Sequence, residues 1–73
     1  MTLEQKEKLE KTLNYFSRKI AYCELDDKIQ QVYVYQDRIR QIQEVLEVLG
    51  YKVNKELREL SNGQFYYVHT ITG

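Results

Sequence analysis

Residues 27 to 50 read DKIQQVYVYQDRIRQIQEVLEVLG, with no proline and no glycine before the last position. Apolar side chains recur along this stretch, mostly three or four residues apart, at Ile29, Val32, Ile39, Ile42, Leu46 and Leu49. That spacing places them on one stripe of an α-helix with 3.6 residues per turn. The stretch therefore predicts a central helix over about residues 27 to 49, around which the rest of the chain is arranged.

Both ends of this helix have residues suited to a helix terminus. We expect Asp27 to be the N-cap, because its carboxylate can accept hydrogen bonds from the free N–H groups of the first turn. Gly50 suits the left-handed position after the last turn, where a Cβ would cost energy. Leu46 and Tyr51 then occupy the positions whose contact often closes a Schellman motif.

Two features of the central helix complicate this prediction. Val45 and Val48 lie off the main stripe, so the second half of the helix is apolar on two faces, and we expect a neighbour on each side. The run from Val32 to Tyr35 is β-branched and aromatic, which is typical of a strand. No turn residue interrupts it, so a continuous helix is the prediction.

The N-terminal third of the chain predicts a second amphipathic helix, over about residues 3 to 24. Thr2 and Gln5 form a capping-box pattern ahead of it. The apolar residues that follow form a heptad seam, at Leu9, Leu13, Phe16, Ile20 and Cys23. The connection at Leu25 and Asp26 is short, and so short a loop folds the two helices back into an antiparallel hairpin.

After Gly50 the apolar period changes from 3.6 to 2, which indicates two strands, at about residues 51 to 60 and 64 to 72. A three-residue loop, Ser61-Asn62-Gly63 with a left-handed Gly63, puts the odd positions of both strands on one face. Val53 then lies opposite Ile71, and Leu57 opposite Tyr67. We expect this odd face to pack on the helices. A two-residue Asn62-Gly63 turn would mix the two faces.

A different interpretation of the first strand is also open. Residues 54 to 60, NKELREL, resemble a short capped helix followed by glycine. In that case residues 64 to 72 would form a lone strand, which would have to pair with another element. The favoured fold class is α+β in the order α-α-β-β, as one small domain over residues 1 to 73.

Composition excludes several classes of protein. Eleven basic and eleven acidic residues cancel, which argues against a binder of duplex DNA. No apolar run approaches the roughly 20 residues of a membrane span. The first residues are charged from Glu4 onwards, unlike a secretory signal, and the single cysteine cannot form an internal disulfide, so we expect a cytoplasmic protein.

Small size predicts association. A domain of 73 residues is marginally stable alone, so we expect a homodimer in which two helical hairpins form a bundle. The expected interface is the seam of the first helix together with two tyrosines on its edge. Its members are Leu9, Leu13, Phe16 and Ile20, with Tyr15 and Tyr22.

Catalytic signals are weak throughout. His69 is the only histidine, and no serine or cysteine motif supplies a nucleophile for it. Cys23 lies on an apolar stripe, where a lone cysteine usually acts as a small core residue. Asp26 and Asp27 suit a helix terminus better than a metal cluster, and no glycine-rich phosphate loop is present. We therefore expect no enzyme, no metal and no cofactor.

The remaining patterns point to binding. On the outer face of the predicted hairpin, Arg58 lies opposite Tyr66 in a possible cation–π pair, beside Leu60 and Val68. Tyrosine and arginine are the residues most often important at interfaces, so these four residues are the expected protein-binding site. The alternative is a small anion, nucleotide or single-stranded nucleic acid bound by Arg38 and Arg40 at a dimer cleft.

The favoured function is thus a non-enzymatic protein-binding module, such as a regulator, adaptor or inhibitor, with a partner whose identity is open. A helical hairpin followed by a β-hairpin in a short, neutral chain is common among small bacterial and phage proteins. That likeness is an analogy and transfers no functional residue.

Overall fold

The computed structural model describes residues 1–73 and contains two helices followed by two strands. These are α1 (Leu3–Leu25), α2 (Ile29–Val48), β1 (Lys52–Glu59) and β2 (Phe65–Thr72). The two strands form one antiparallel sheet. The predicted α+β fold in the order α-α-β-β is confirmed.

The first turn of α1 is held by the capping box that the sequence predicts. The Gln5 N–H donates to Thr2 Oγ1 at 3.1 Å, and the Thr2 N–H donates to Gln5 Oε1 at 3.0 Å. Each residue thus satisfies a backbone group of the other that the helix leaves free.

The connection between the helices differs from the prediction. Asp27 is not the N-cap of α2; that position is Lys28, which makes no side-chain cap. Asp27 has a φ of 59° and follows the C-cap of α1. The Lys28 N–H donates to the Cys23 carbonyl at 2.8 Å and the Asp27 N–H to the Glu24 carbonyl at 3.4 Å. These two bonds form a Schellman motif that closes α1. The prediction was wrong because aspartate tolerates the left-handed conformation as well as serving as an N-cap.

The far end of α2 follows the prediction. Gly50 has a φ of 92°, and its N–H donates to the Glu47 carbonyl at 3.0 Å. The Tyr51 N–H donates to the Leu46 carbonyl at 2.9 Å, which completes a second Schellman motif. Val32 to Tyr35 is helical, and Val32 is buried. Tyr33 and Val34 are more than half exposed, so the run follows the helical residues on either side of it rather than its own strand propensity.

The hairpin has the predicted register, with Leu57 opposite Tyr67 and Val53 opposite Ile71. Gly63 has a φ of 86°, and its N–H donates to the Leu60 carbonyl at 3.0 Å. The Leu60 N–H closes the three-residue loop by donating to the Gln64 backbone carbonyl at 2.6 Å. The short helix over residues 54 to 60 does not form.

The core is small and lies where the helices meet the open end of the hairpin. It consists of Leu13, Ile39, Leu46 and Ile71, with half-buried apolar side chains around it. Nine of the 73 residues are buried, so much apolar surface remains exposed.

Side chains of α1 cover the outer edge of β2. Three backbone N–H groups on that edge donate to polar side chains of α1, at 2.9, 2.6 and 2.8 Å. The donors are Ile71, His69 and Tyr67, and the acceptors, in the same order, are Glu10, Asn14 and Ser17. The acceptors are one helical turn apart, so α1 takes the place of a neighbouring strand.

The odd face of the hairpin packs on the helices only near its open end. Ile71 and His69 are buried, and Val53 is half-buried. Nearer the turn, Leu57 and Phe65 are more than half exposed, contrary to the prediction for the whole face. The edge contacts with α1 end at Tyr67; beyond it, the sheet and the helices border an open cleft of about 470 Å³.

Candidate protein-interaction surfaces

The largest concave surface is a groove between the first half of α1 and the second half of α2, which we call the helical groove. It has a volume of about 830 Å³. Its apolar lining includes Leu9, Ile42, Val45, Leu46, Leu49 and Tyr51. Its polar lining residues are Gln5, Lys8, Thr12 and Gln41.

One side of the helical groove is formed by uncovered apolar residues of α2. Val45 is 60% exposed and Leu49 is 66% exposed, and Val48 beside them is 87% exposed. The sequence predicts a neighbour on each apolar face of this helix, and α1 covers only one of them. A cluster of exposed apolar side chains is typical of a binding surface. The off-stripe positions of Val45 and Val48 are visible in the sequence, but the sequence alone predicts no site there.

The predicted patch on the outer face of the hairpin is brought together by the fold. Arg58 lies directly opposite Tyr66 in the sheet, and Leu60, Tyr66 and Val68 are half-buried. The possible cation–π pair between Arg58 and Tyr66 does not form; the Arg58 guanidinium instead donates to Glu56 Oε2 at 3.1 Å. Cation–π contacts occur elsewhere, between Lys19 and Tyr15 and between Lys55 and Tyr67.

The seam of α1 is largely used within the chain. Leu13 has no exposed surface, and Leu9, Phe16 and Ile20 pack around the same core. The Phe16 ring lies 5.7 Å from the Tyr35 ring. Tyr15 and Tyr22 are about half exposed, at 48% and 46%, and are the part of the predicted dimer interface that a second chain can reach. Dimerisation through this surface stays a prediction.

The two arginines of the alternative anion site lie on different sides of α2. They are two residues apart, which is about 200° around a helix. Arg40 forms ion pairs with Asp37 and Glu44, so neighbouring carboxylates already neutralise its charge. A site made by Arg38 and Arg40 would need groups from a second chain, as the predicted dimer cleft implies.

His69 is buried between β2 and α1, where its ring and its backbone both contact Asn14. It is 3% exposed, and its Nδ1 is 3.2 Å from Asn14 Oδ1, which also accepts the His69 backbone N–H. Burial, followed by the positive charge of Lys55 on the paired strand, lowers the pKa of His69 below 6.5. The neutral ring, with its proton on Nδ1, donates to Asn14 and so helps to hold β2 against α1.

Side chains that could react or bind a metal are few. Cys23 is buried, and its thiol donates to Gln31 Oε1 at 3.5 Å. No cluster of three or more histidine, cysteine, aspartate or glutamate side chains is arranged to hold a metal ion. Neither helix has the length and apolar character needed to cross a membrane.

Comparison of the chain with protein-family models, with curated proteins and with solved structures found no significant match. Its function is therefore inferred from its own residues and surfaces. Among those surfaces, the helical groove has a volume of about 830 Å³ and is lined by the exposed side chains of Val45 and Leu49.

Proposed function

We propose that this chain is a non-enzymatic protein-binding module, a small regulator, adaptor or inhibitor, that binds an apolar helix of another protein in its helical groove. The observation that supports this proposal is the row of exposed apolar side chains at Val45, Val48 and Leu49, beside a groove between two helices. An amphipathic helix laid in such a groove is a common mode of peptide recognition.

The favourable free energy of binding comes from removing these apolar side chains from water. Full burial of a valine or leucine side chain is worth about 1.5–3 kcal/mol. Val45, Val48 and Leu49 each retain more than half of their exposure, so a partner that covers them recovers several kcal/mol in total, of the order seen for interface anchors. The polar side chains that line the helical groove, such as Gln5 and Gln41, can fix the orientation of the partner.

The test compares two variants of α2 that add the same negative charge. Val45→Glu places a carboxylate in the helical groove, whereas Gln30→Glu places one at an exposed position near the start of the helix. Both positions are exposed, so both variants should melt close to the wild-type temperature. We expect Val45→Glu to lose at least tenfold in partner affinity, measured by calorimetry with the purified partner, and Gln30→Glu to bind normally.

The patch of Arg58, Leu60, Tyr66 and Val68 is the alternative docking surface, because it groups an arginine and a tyrosine with two aliphatic side chains. Tyr66→Ala and Arg58→Ala serve as the matching variants. If they abolish binding without lowering the melting temperature, and Val45→Glu binds normally, the partner docks on the hairpin and the groove proposal is wrong.

The proposal places the module in the cytoplasm. A reducing compartment suits its single cysteine, which is an unpaired thiol inside the fold. Localisation of a tagged chain by cell fractionation is the direct check.

A further inference from the structure

The outer edge of β1 is open, unlike that of β2. The bond from the Leu60 N–H to Gln64, with the register of the sheet, shows that even-numbered residues of β1 direct their N–H and C=O groups towards β2. These directions alternate along an antiparallel strand. The odd-numbered residues Lys55, Leu57 and Glu59 therefore direct theirs away from the sheet, and no hydrogen bond from another element reaches them.

The pattern of charges along this open edge is complementary to the same pattern read backwards. Residues 55 to 59 read KELRE, so each charge on one side of Leu57 has the opposite charge at the same distance on the other side. If a second copy of β1 is laid antiparallel with Leu57 opposite Leu57, Lys55 lies opposite Glu59 of that copy. Glu56 then lies opposite its Arg58. Directly opposed charges of unlike sign stabilise a strand pair.

Several other ways of pairing two copies of β1 oppose like charges. Centring the pair on Lys55, Glu56, Arg58 or Glu59 brings that residue against itself. Parallel pairing in register would oppose every charge to its own kind. Charged residues on an edge strand usually prevent association. Here they disfavour these alternative registers and support the one centred on Leu57.

We propose that two copies of this chain associate through their β1 strands, antiparallel and with Leu57 on the two-fold axis, to form one continuous four-stranded sheet. The side chains at the centre fit this role. Leu57 is 54% exposed and would lie against Leu57 of the second copy. Phe65 and Tyr67, about half exposed on the same face, would extend the apolar strip on either side.

This interface lies apart from the helical groove, none of whose lining residues belongs to β1. The dimer would thus present two grooves, and binding of a partner helix would not compete with pairing of the strands. The inference goes beyond the proposed function, and either can fail without the other.

The test uses charge reversal at the paired positions. Lys55→Glu places two carboxylates opposite each other across the two-fold axis, and Glu59→Lys places two ammonium groups there. Each single variant should raise the dimer dissociation constant about tenfold or more. The double variant Lys55→Glu/Glu59→Lys restores both opposite-charge pairs at an unchanged net charge, and it should dimerise like the wild type.

Mixing the two single variants gives an independent result. The Lys55→Glu chain carries two carboxylates at these positions and the Glu59→Lys chain two ammonium groups, so the mixture should form a heterodimer. Native mass spectrometry with one chain labelled with ¹⁵N detects it. Lys11→Glu and Glu24→Lys, at exposed positions of α1, are the controls for net charge, and each should self-associate normally.

Sedimentation equilibrium over a dilution series measures the masses. We expect the wild type to approach twice the chain mass of 8.9 kDa as its concentration rises. A wild type that stays monomeric at millimolar concentration overturns the proposal. So does a dimer that both single variants leave intact, because the chains would then pair through another surface, such as the helices. Failure of the double variant to recover dimerisation also overturns it.

Discussion

Replacing Asn14 by alanine tests how the hairpin is held against the helices. In the native structure Asn14 Oδ1 accepts the His69 backbone N–H at 2.6 Å and lies 3.2 Å from Nδ1 of the same residue. Because His69 is only 3% exposed, water cannot readily replace the lost acceptor. A buried donor left without a partner costs about 1–3 kcal/mol.

The expected loss of stability in Asn14→Ala is the difference between two opposing effects. Loss of the acceptor for two donors costs about 2–4 kcal/mol, and alanine recovers roughly half a kcal/mol because it favours the helix more than asparagine does. The net loss is about 1.5–3.5 kcal/mol, which corresponds to a fall of roughly 6–28 °C in the melting temperature of a domain of this size. Helix propensity alone would predict a small rise.

The assay is thermal unfolding followed by circular dichroism, with two control variants. Lys11→Ala lies at an exposed position of the same helix and should leave the melting temperature within a few degrees. Asn14→Asp keeps an acceptor oxygen and should retain most of the stability at neutral pH. Hydrogen exchange should show that the His69 amide loses protection in Asn14→Ala. If Asn14→Ala melts no lower than Lys11→Ala, the contact does not hold β2 in place.

Two further predictions concern the helix ends and the buried histidine. Asp27 has a φ of 59°, so Asp27→Gly should raise the free energy of unfolding by about 0.5–1 kcal/mol, whereas Gly50→Ala, at a φ of 92°, should lower it by about 1–2 kcal/mol. Urea unfolding measures both, and a loss of stability in Asp27→Gly would instead support an N-cap role for that residue. Because the pKa of His69 is lowered in the folded chain, the unfolded chain binds more protons once the pH falls below 6.5, and the free energy of unfolding decreases there. The melting temperature should therefore fall less between neutral pH and about pH 5 in His69→Gln than in the wild type, and equal slopes would contradict the assignment.

Local patterns in the sequence predicted most of the fold. The capping box at Thr2, the Schellman motif at Gly50 and the hairpin register set by Gly63 depend on neighbouring residues, and all three are confirmed. Asp27 was wrongly assigned because aspartate suits both the start and the end of a helix, and only the course of the chain decides between them.

Features that depend on contacts between distant residues were harder to predict from the sequence. Nothing local marks Asn14 as an acceptor for a strand 55 residues away. The exposed turn end of the hairpin likewise depends on where α1 stops contacting β2. The helical groove had a signal in the sequence, because Val45 and Val48 lie off the main apolar stripe of α2. Only the structure shows that no second neighbour covers them.

The most direct test of the central claim, that the helical groove binds another protein, is photo-crosslinking from within it. A benzophenone amino acid is placed at Val45 in the groove, or at Gln30 as the control, and irradiated in the cells that naturally make the chain. We expect one discrete crosslinked partner from position 45, with the crosslink on an apolar face of a helix in that partner, and none from position 30. No crosslinked partner from position 45, or the same products from both positions, would contradict it.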